Sequence, residues 1–163
     1  MELPRPRPLF YAVAAAILGS DQATKAWILG RLSHPGDGWA VVPGFFDLTF
    51  VTNTGIAFGL FQGRNGLLAL VVMLILGLAF WMARELDWRK LEVNLLAGCV
   101  LGGAVGNLVD RLRFGYVVDF LDFNLGFMRW PAFNIADAAI SCSVVWILCR
   151  ILVQEIRPRQ AVD

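Results

Sequence analysis

Asp21, Lys25, Asn107, Asp110, Arg111, Asn134 and Asp137 are ionisable or amide side chains set in or at the ends of strongly apolar runs. Such groups cost free energy in hydrocarbon, so each is a candidate for function. Asp21 and Lys25 are four apart and share one helix face, where they can pair. Gly103, Asn107 and Arg111 are also four apart and line one face, the glycine leaving room for another chain. Asn134 and Asp137, three apart, share a face too. Asp119 lies in a loop eighteen residues before Asp137, and that loop, folded back over a helix bundle, brings two carboxylates together. Adjoining carboxylates do not both ionise cheaply, so one keeps a proton near neutrality. The charged member can then take a proton from water while the protonated member donates to a carbonyl oxygen, as in aspartic proteases. Spacing alone leaves an equal alternative: an ordinary loop carboxylate, and a helix N-terminal carboxylate favoured by the macrodipole.

Other chemistries lack their residues. The single histidine, His34, sits in the turn-rich run Ser33 to Gly38, away from every apolar segment. A His-ligated zinc, a bis-His haem or a Ser-His-Asp triad would need a histidine elsewhere. Cys99, Cys142 and Cys149 are too few for a disulfide framework and lie in apolar stretches, where a cysteine is usually a small buried hydrophobe. An oxygen-only metal site normally recruits more than two acidic ligands. No metal or cofactor is expected.

The elements that position these residues follow from composition. Of 163 residues, 58% are hydrophobic and 17% charged, against roughly 45–50% and 25% in soluble domains. A net charge of +1 leaves no basic stripe for nucleic acid. The chain reads as an all-α integral membrane protein forming one membrane-embedded domain. Spanning helices are expected at about 9–29, 65–84, 93–111 and 133–153, with outward-facing segments at about 30–64 and 112–132. Arg5 and Arg7 before the first apolar run resemble a secretory leader. Apolar residues resume at Ala26 to Leu29 beyond the charged pair, so this segment is expected to stay. Lys/Arg bias puts both termini and the 85–92 turn in the cytoplasm. Asp21, Lys25, Asn107, Asp110, Arg111, Asn134 and Asp137 then share one depth near the outer interface. Phe46, Leu48 and Phe50 alternate with more polar neighbours, as in a half-buried strand. Most of the tryptophans, among them Trp27, Trp81, Trp88, Trp130 and Trp146, read as interfacial belt residues.

Five stretches, in order, resemble lipoprotein signal peptidases, the signal peptidase II family, over nearly the whole chain. They are Asp21 to Lys25, Thr52 to Phe58, Gly103 to Arg111, Val117 to Phe120 and Phe133 to Ala138. The resemblance implies a bacterial inner-membrane aspartyl endopeptidase. Its substrate would be a prolipoprotein carrying diacylglycerol on its lipobox cysteine, cut just before that cysteine. Asp119 and Asp137 would be the catalytic dyad. Asn53, Gly55, Gly103, Asn107, Arg111 and Asn134 would bind substrate, supported by Asp21 and Lys25. It also implies that Asp47 to Phe61 contributes to a small extracytoplasmic sheet cradling the substrate. Globomycin-type inhibitors would occupy the dyad, and one chain would suffice as a monomer.

Structural roles compete at several positions. Asp110 can simply pair with Lys25 or Arg113 or brace the loop, Arg111 can snorkel to the interface, and Lys25 can merely neutralise Asp21. Asn94 and Arg150 read as anchors at helix ends. The cluster Gly102, Gly103 and Gly106 suits helix packing, and Asp122 lacks the motif context of Asp119. The rival from another class is a small transporter or proton-relay subunit using the same carboxylates. It predicts ionisable groups at several depths.

Overall fold

The computed structural model describes residues 5–55 and 60–156. In chain order they form α1 (Pro8–Leu29), β1 (Gly38–Val42), β2 (Phe46–Asn53), α2 (Asn65–Met82), α3 (Leu91–Phe114), β3 (Val117–Phe123) and α4 (Ile135–Ile156). A single 3-10 turn, Ala83–Glu85, follows α2. Among the described residues three helical stretches are long and apolar enough to cross a membrane: Asn65–Glu85, Leu91–Phe114 and Ile135–Val153. α1 is not one of them. It has the length, 22 residues, but Asp21 and Lys25 lie within it and are buried. Its polar face is turned inward against the other helices, which is why its composition falls short of an apolar span.

α3 is the central helix, packed most extensively on α1 and α4 and least on α2. Its glycines explain the close approach. A Cβ on Gly98 or Gly102 would come within 2.9 Å of the Phe10 carbonyl or 2.6 Å of the Ala14 carbonyl on α1. On the neighbouring face, a Cβ on Gly103 would lie 2.6 Å from the Ala136 carbonyl of α4. α3 ends where Gly115 adopts φ +80°, in the left-handed region, and returns its N–H to the Arg111 carbonyl.

The three strands make an antiparallel sheet in the order β1-β2-β3. Ile28 in the last turn of α1 and Leu32 just beyond it pack with Phe50, Val118 and Phe120, so the sheet sits on the C-terminal end of α1. The alternation at Phe46–Phe50 thus marks a real strand, β2. Its two partners carry no such signal: β1 is exposed throughout, and β3 is almost wholly buried, so neither alternates. Of the stretch 47–61, strand pairing takes in only Asp47–Asn53. Residues 54 and 55 form a bend, and 56–59 lie outside the described residues.

Two expectations about apolar residues change. Trp88 is not a belt residue: it is buried, donates Nε1–H to the Ala83 carbonyl at 2.8 Å and meets Phe10 edge-on. It plugs the α2–α3 turn. Cys142 and Cys149 are exposed, because α4 turns much of its surface away from the bundle, and Cys99 on α3 is half-buried. Asn94 is buried in the first turn of α3, where it donates to the Trp88 and Lys90 carbonyls and accepts the Arg7 N–H. Arg150 pairs with Glu92.

Candidate active site

The deepest layer is centred on Lys25, which is 2% exposed. Its ammonium lies 2.8 Å from Asp21 Oδ2 and 2.9 Å from Asp110 Oδ2, and donates to Asn107 Oδ1 at 3.0 Å. A buried cation is tolerable only with such partners. Each carboxylate also braces backbone. Asp21 Oδ1 accepts the Ala136 N–H of α4 at 3.0 Å, and Asp110 Oδ2 accepts the Val118 N–H of β3 at 3.0 Å. Gln22 bridges the pair, donating to Asp110 Oδ1 at 2.9 Å and Asp21 Oδ2 at 3.3 Å. A Cβ on Gly106 would lie 2.6 Å from Asp21 Oδ2, so that position must be bare.

Above this layer the start of α4 organises the carboxylates. Asn134 immediately precedes the helix. Its Oδ1 accepts the Asp137 N–H at 2.9 Å, while its own N–H lies 3.4 Å from Asp137 Oδ2. This reciprocal pattern is a capping box. Capping consumes the amide oxygen, so the Nδ2 group must point away from the helix, and it donates to Asp119 Oδ1 at 2.7 Å. The same Nδ2 is 3.1 Å from Asn107 Oδ1. Asn107 in turn donates Nδ2–H to Asp137 Oδ1 at 2.7 Å. Asp119 and Asp137, eighteen residues apart in sequence, are thereby joined through two amides. Asn53 at the end of β2 donates to Asp119 Oδ2 at 2.9 Å. The register Val51 opposite Asp119 sets β2 and β3 in place for that bond.

Asp119 is 1% exposed. Burial, then the nearby Asp137 charge, pushes its carboxyl up from 3.8 to about 7, although the Asn53 and Asn134 donors pull the other way. The carboxyl in the sheet is thus one member of a pair disposed to keep a proton near neutrality.

Arg111 forms a third group. Its Nη2 donates to the Gly55 carbonyl at 2.7 Å and its Nη1 to Asn65 Oδ1 at 3.3 Å. Asn65 Nδ2 returns a bond to the Arg111 carbonyl at 3.0 Å. Arg111 is 7% exposed and Nε has no partner among the described residues. It is therefore not a snorkelling anchor. Gly55 accepts no Cβ, because one would collide with the Leu60 carbonyl, and its N–H is held by Asn53 Oδ1 at 3.0 Å.

Asp21, Lys25, Asn53, Asn107, Asn134, Asp119 and Asp137 thus come together in one network, and Arg111 and Gly55 meet beside it. Gly103 lies at the α3–α4 crossing. Asp110 binds Lys25 and Val118. Asp122 is elsewhere, held by Arg129 at 2.8 Å. Gln22 and Asn65 escaped sequence reasoning. Gln22 neighbours a charged residue, and Asn65 opens an apolar run, so neither stands out as a costly polar group inside a span. The run Asp21 to Lys25 was the available signal for Gln22.

Membrane-length helices over a buried carboxylate–amide network define the class: a helical membrane protein with a built polar site near one end. A family model described as signal peptidase II matches residues 13–153. Lipoprotein signal peptidases of Thermosynechococcus vestitus and Desulforapulum autotrophicum are 44% and 38% identical over 146 and 149 residues. These alignments cover 86% and 88% of this chain and 89% and 91% of those proteins. Two solved structures of a bacterial membrane enzyme superpose with TM-scores of 0.84 and 0.79 at 27% identity. They cover 94% and 93% of this chain, and 93% and 98% of theirs. The chain belongs to the signal peptidase II family. Membership makes it a protease of membrane character and decides against the transporter reading of the same carboxylates.

Proposed function

We propose that this chain is an aspartyl endopeptidase that frees diacylglyceryl-modified prolipoproteins of their signal peptides, cutting just before the lipidated cysteine. The observation that carries the reading is the chain of bonds from Asp119 through Asn134 and Asn107 to Asp137. With Asp119 holding the proton near neutrality, Asp137 is the base. Asp137 takes a proton from the attacking water, and Asp119 donates to the scissile carbonyl oxygen. The tetrahedral intermediate collapses with cleavage of the C–N bond as the proton on Asp137 passes to the cysteine nitrogen and one hydroxyl of the intermediate returns its proton to Asp119. The products are a signal peptide with a new carboxyl terminus and a lipoprotein with a free amino group.

Asn53, Gly55, Asn107, Arg111 and Asn134 line the substrate's path, and Gly103 serves it by letting α3 and α4 close. Asp21 and Lys25 hold Asn107 and the start of α4. The site lies near the outer interface of a bacterial inner membrane, with α1 as a fourth span and both termini cytoplasmic. The substrate's acyl chains then stay in hydrocarbon while water reaches the scissile bond. A monomer suffices, and globomycin-type inhibitors occupy the dyad.

The test is cleavage of a diacylglyceryl-modified prolipoprotein by the purified chain, with the new termini read by mass spectrometry. Scission only before the lipidated cysteine, and none of the unlipidated precursor, is expected. Inactivity on substrates of several sequences would overturn the reading.

A further inference from the structure

The sheet order β1-β2-β3 leaves β3 an edge strand, with no strand neighbour on its other side. At Val118 two side chains take that neighbour's place. The Val118 N–H goes to Asp110 Oδ2 at 3.0 Å, and the Val118 carbonyl accepts Asn134 Nδ2–H at 3.3 Å. The next residue is Asp119. The arrangement recurs on α4, where a helix start leaves its first N–H groups without backbone partners. There the Ala136 N–H goes to Asp21 Oδ1 at 3.0 Å, and the next residue is Asp137. Each member of the dyad thus follows a peptide N–H held by a carboxylate of the layer beneath. The two holding carboxylates are in turn fixed to each other. Lys25 lies 2.8 Å from Asp21 and 2.9 Å from Asp110, and Gln22 Nε2 donates to both.

We propose that Asp110 is a positioning residue of the reaction: by holding the Val118 peptide it sets, together with Asp21, the separation of Asp119 from Asp137. The inference rests on the peptidase reading above, in which the two carboxyls act on one water and one carbonyl. Among the described residues Asp110 bonds to neither dyad carboxyl, so it acts through the backbone. Neutralising Lys25 does not account for it. Asp21 is already the counter-ion of Lys25, and a second buried carboxylate leaves the group one negative charge in excess, which is costly. What the second carboxylate adds is an acceptor for the edge N–H just before Asp119. Displacing a catalytic group by about 1 Å costs roughly 10²-fold in rate, so a tether of this kind acts on the chemical step.

The experiment compares Asp110→Ala and Asp110→Asn in the full chain in nanodiscs, each first shown folded by thermal unfolding. Both remove the same charge and leave Lys25 paired with Asp21. Only asparagine keeps an oxygen for the Val118 N–H. On a diacylglyceryl-modified prolipoprotein, Asp110→Ala should lose about 10²-fold in kcat with KM unchanged. Asp110→Asn should regain at least about tenfold of that loss. Hydrogen exchange at the Val118 amide should run about tenfold faster in Asp110→Ala than in wild type or Asp110→Asn, as loss of one hydrogen bond implies. Equal losses in the two variants would reduce Asp110 to a charge partner of Lys25 and overturn the inference. A folded Asp110→Ala with wild-type kcat would overturn it too, and in both cases cleavage by the wild type still stands. If Asp110→Ala does not fold, Asp110→Asn decides. A kcat within about tenfold of wild type, with Val118 still protected, supports the tether, and a larger loss overturns it. If the wild type cuts nothing, the peptidase reading fails and the inference falls with it.

Discussion

Asp21 on the first helix accepts the backbone N–H of Ala136 on the last, at 3.0 Å and 115 positions away in sequence. The bond ties the start of α4, and with it Asn134 and Asp137, to the ion pair inside α1. Asp21→Asn weakens the pairing of a buried Lys25, and removing one partner of a buried pair costs roughly 3–5 kcal/mol. A lower unfolding temperature in detergent is expected, with a larger drop for Lys25→Met, which strips the counter-ion from both Asp21 and Asp110. A single variant as stable as wild type would show that the pair does not hold the helices.

Gly106 and Gly77 make a contrast. A methyl on Gly106 meets Asp21 Oδ2 at 2.6 Å, whereas one on Gly77 meets nothing within 4 Å. Gly106→Ala should destabilise by about 1–3 kcal/mol through overpacking, and Gly77→Ala should gain up to about 1 kcal/mol of helix propensity. Thermal unfolding of both variants in one detergent checks the difference in sign.

The raised carboxyl of Asp119 sets a pH dependence. Between 3.8 and about 7 the folded chain holds a proton on Asp119 that the unfolded chain has lost. This contribution to stability is complete below that window and disappears as pH rises through it. Stability should therefore fall from pH 4 to pH 8, and Asp119→Asn should flatten the fall. Cleavage, which uses the protonated form, should lose rate above about pH 7. A rate still rising beyond pH 8 would contradict the assignment of Asp119 as the acid.

Asn134 has two tasks that substitution can separate. Loss of its cap in Asn134→Ala should cost about 1 kcal/mol of stability. Loss of its Nδ2 bonds to Asp119 and Asn107 should cost roughly 10²-fold or more in rate, as misplaced catalytic groups do. Asn134→Ser keeps a capping oxygen without the amide donor, so it should recover stability and not rate. Recovery of both would reduce Asn134 to a cap.

Much of this site was legible in the sequence for one reason: polar residues inside apolar runs are rare and expensive. Asp21, Lys25, Asn107, Asn134 and Asp137 stand out on that ground, and helical spacing assigns their faces. The sheet was harder. β2 alternates in sequence, with Phe50 its one buried residue, but β3 carries Asp119 in a nearly continuous buried run, so its strand character and the Val51–Asp119 register depend on tertiary pairing. Arg111 shows the remaining gap. Its position in the last turn of an apolar helix suits an interfacial anchor, yet it is buried against Gly55 and Asn65, partners 56 and 46 residues away. Spacing along one helix carries no information about those contacts.

The most direct test of the central claim is the cleavage rate of Asp119→Asn and Asp137→Asn on the lipidated prolipoprotein, beside Asp122→Asn. All three variants should first be shown folded in detergent. The dyad assignment predicts losses of roughly 10²–10⁴-fold for each of the first two, and a rate near wild type for Asp122→Asn, whose carboxylate is held by Arg129 away from the network. A near-wild-type rate for either Asp119→Asn or Asp137→Asn would contradict it.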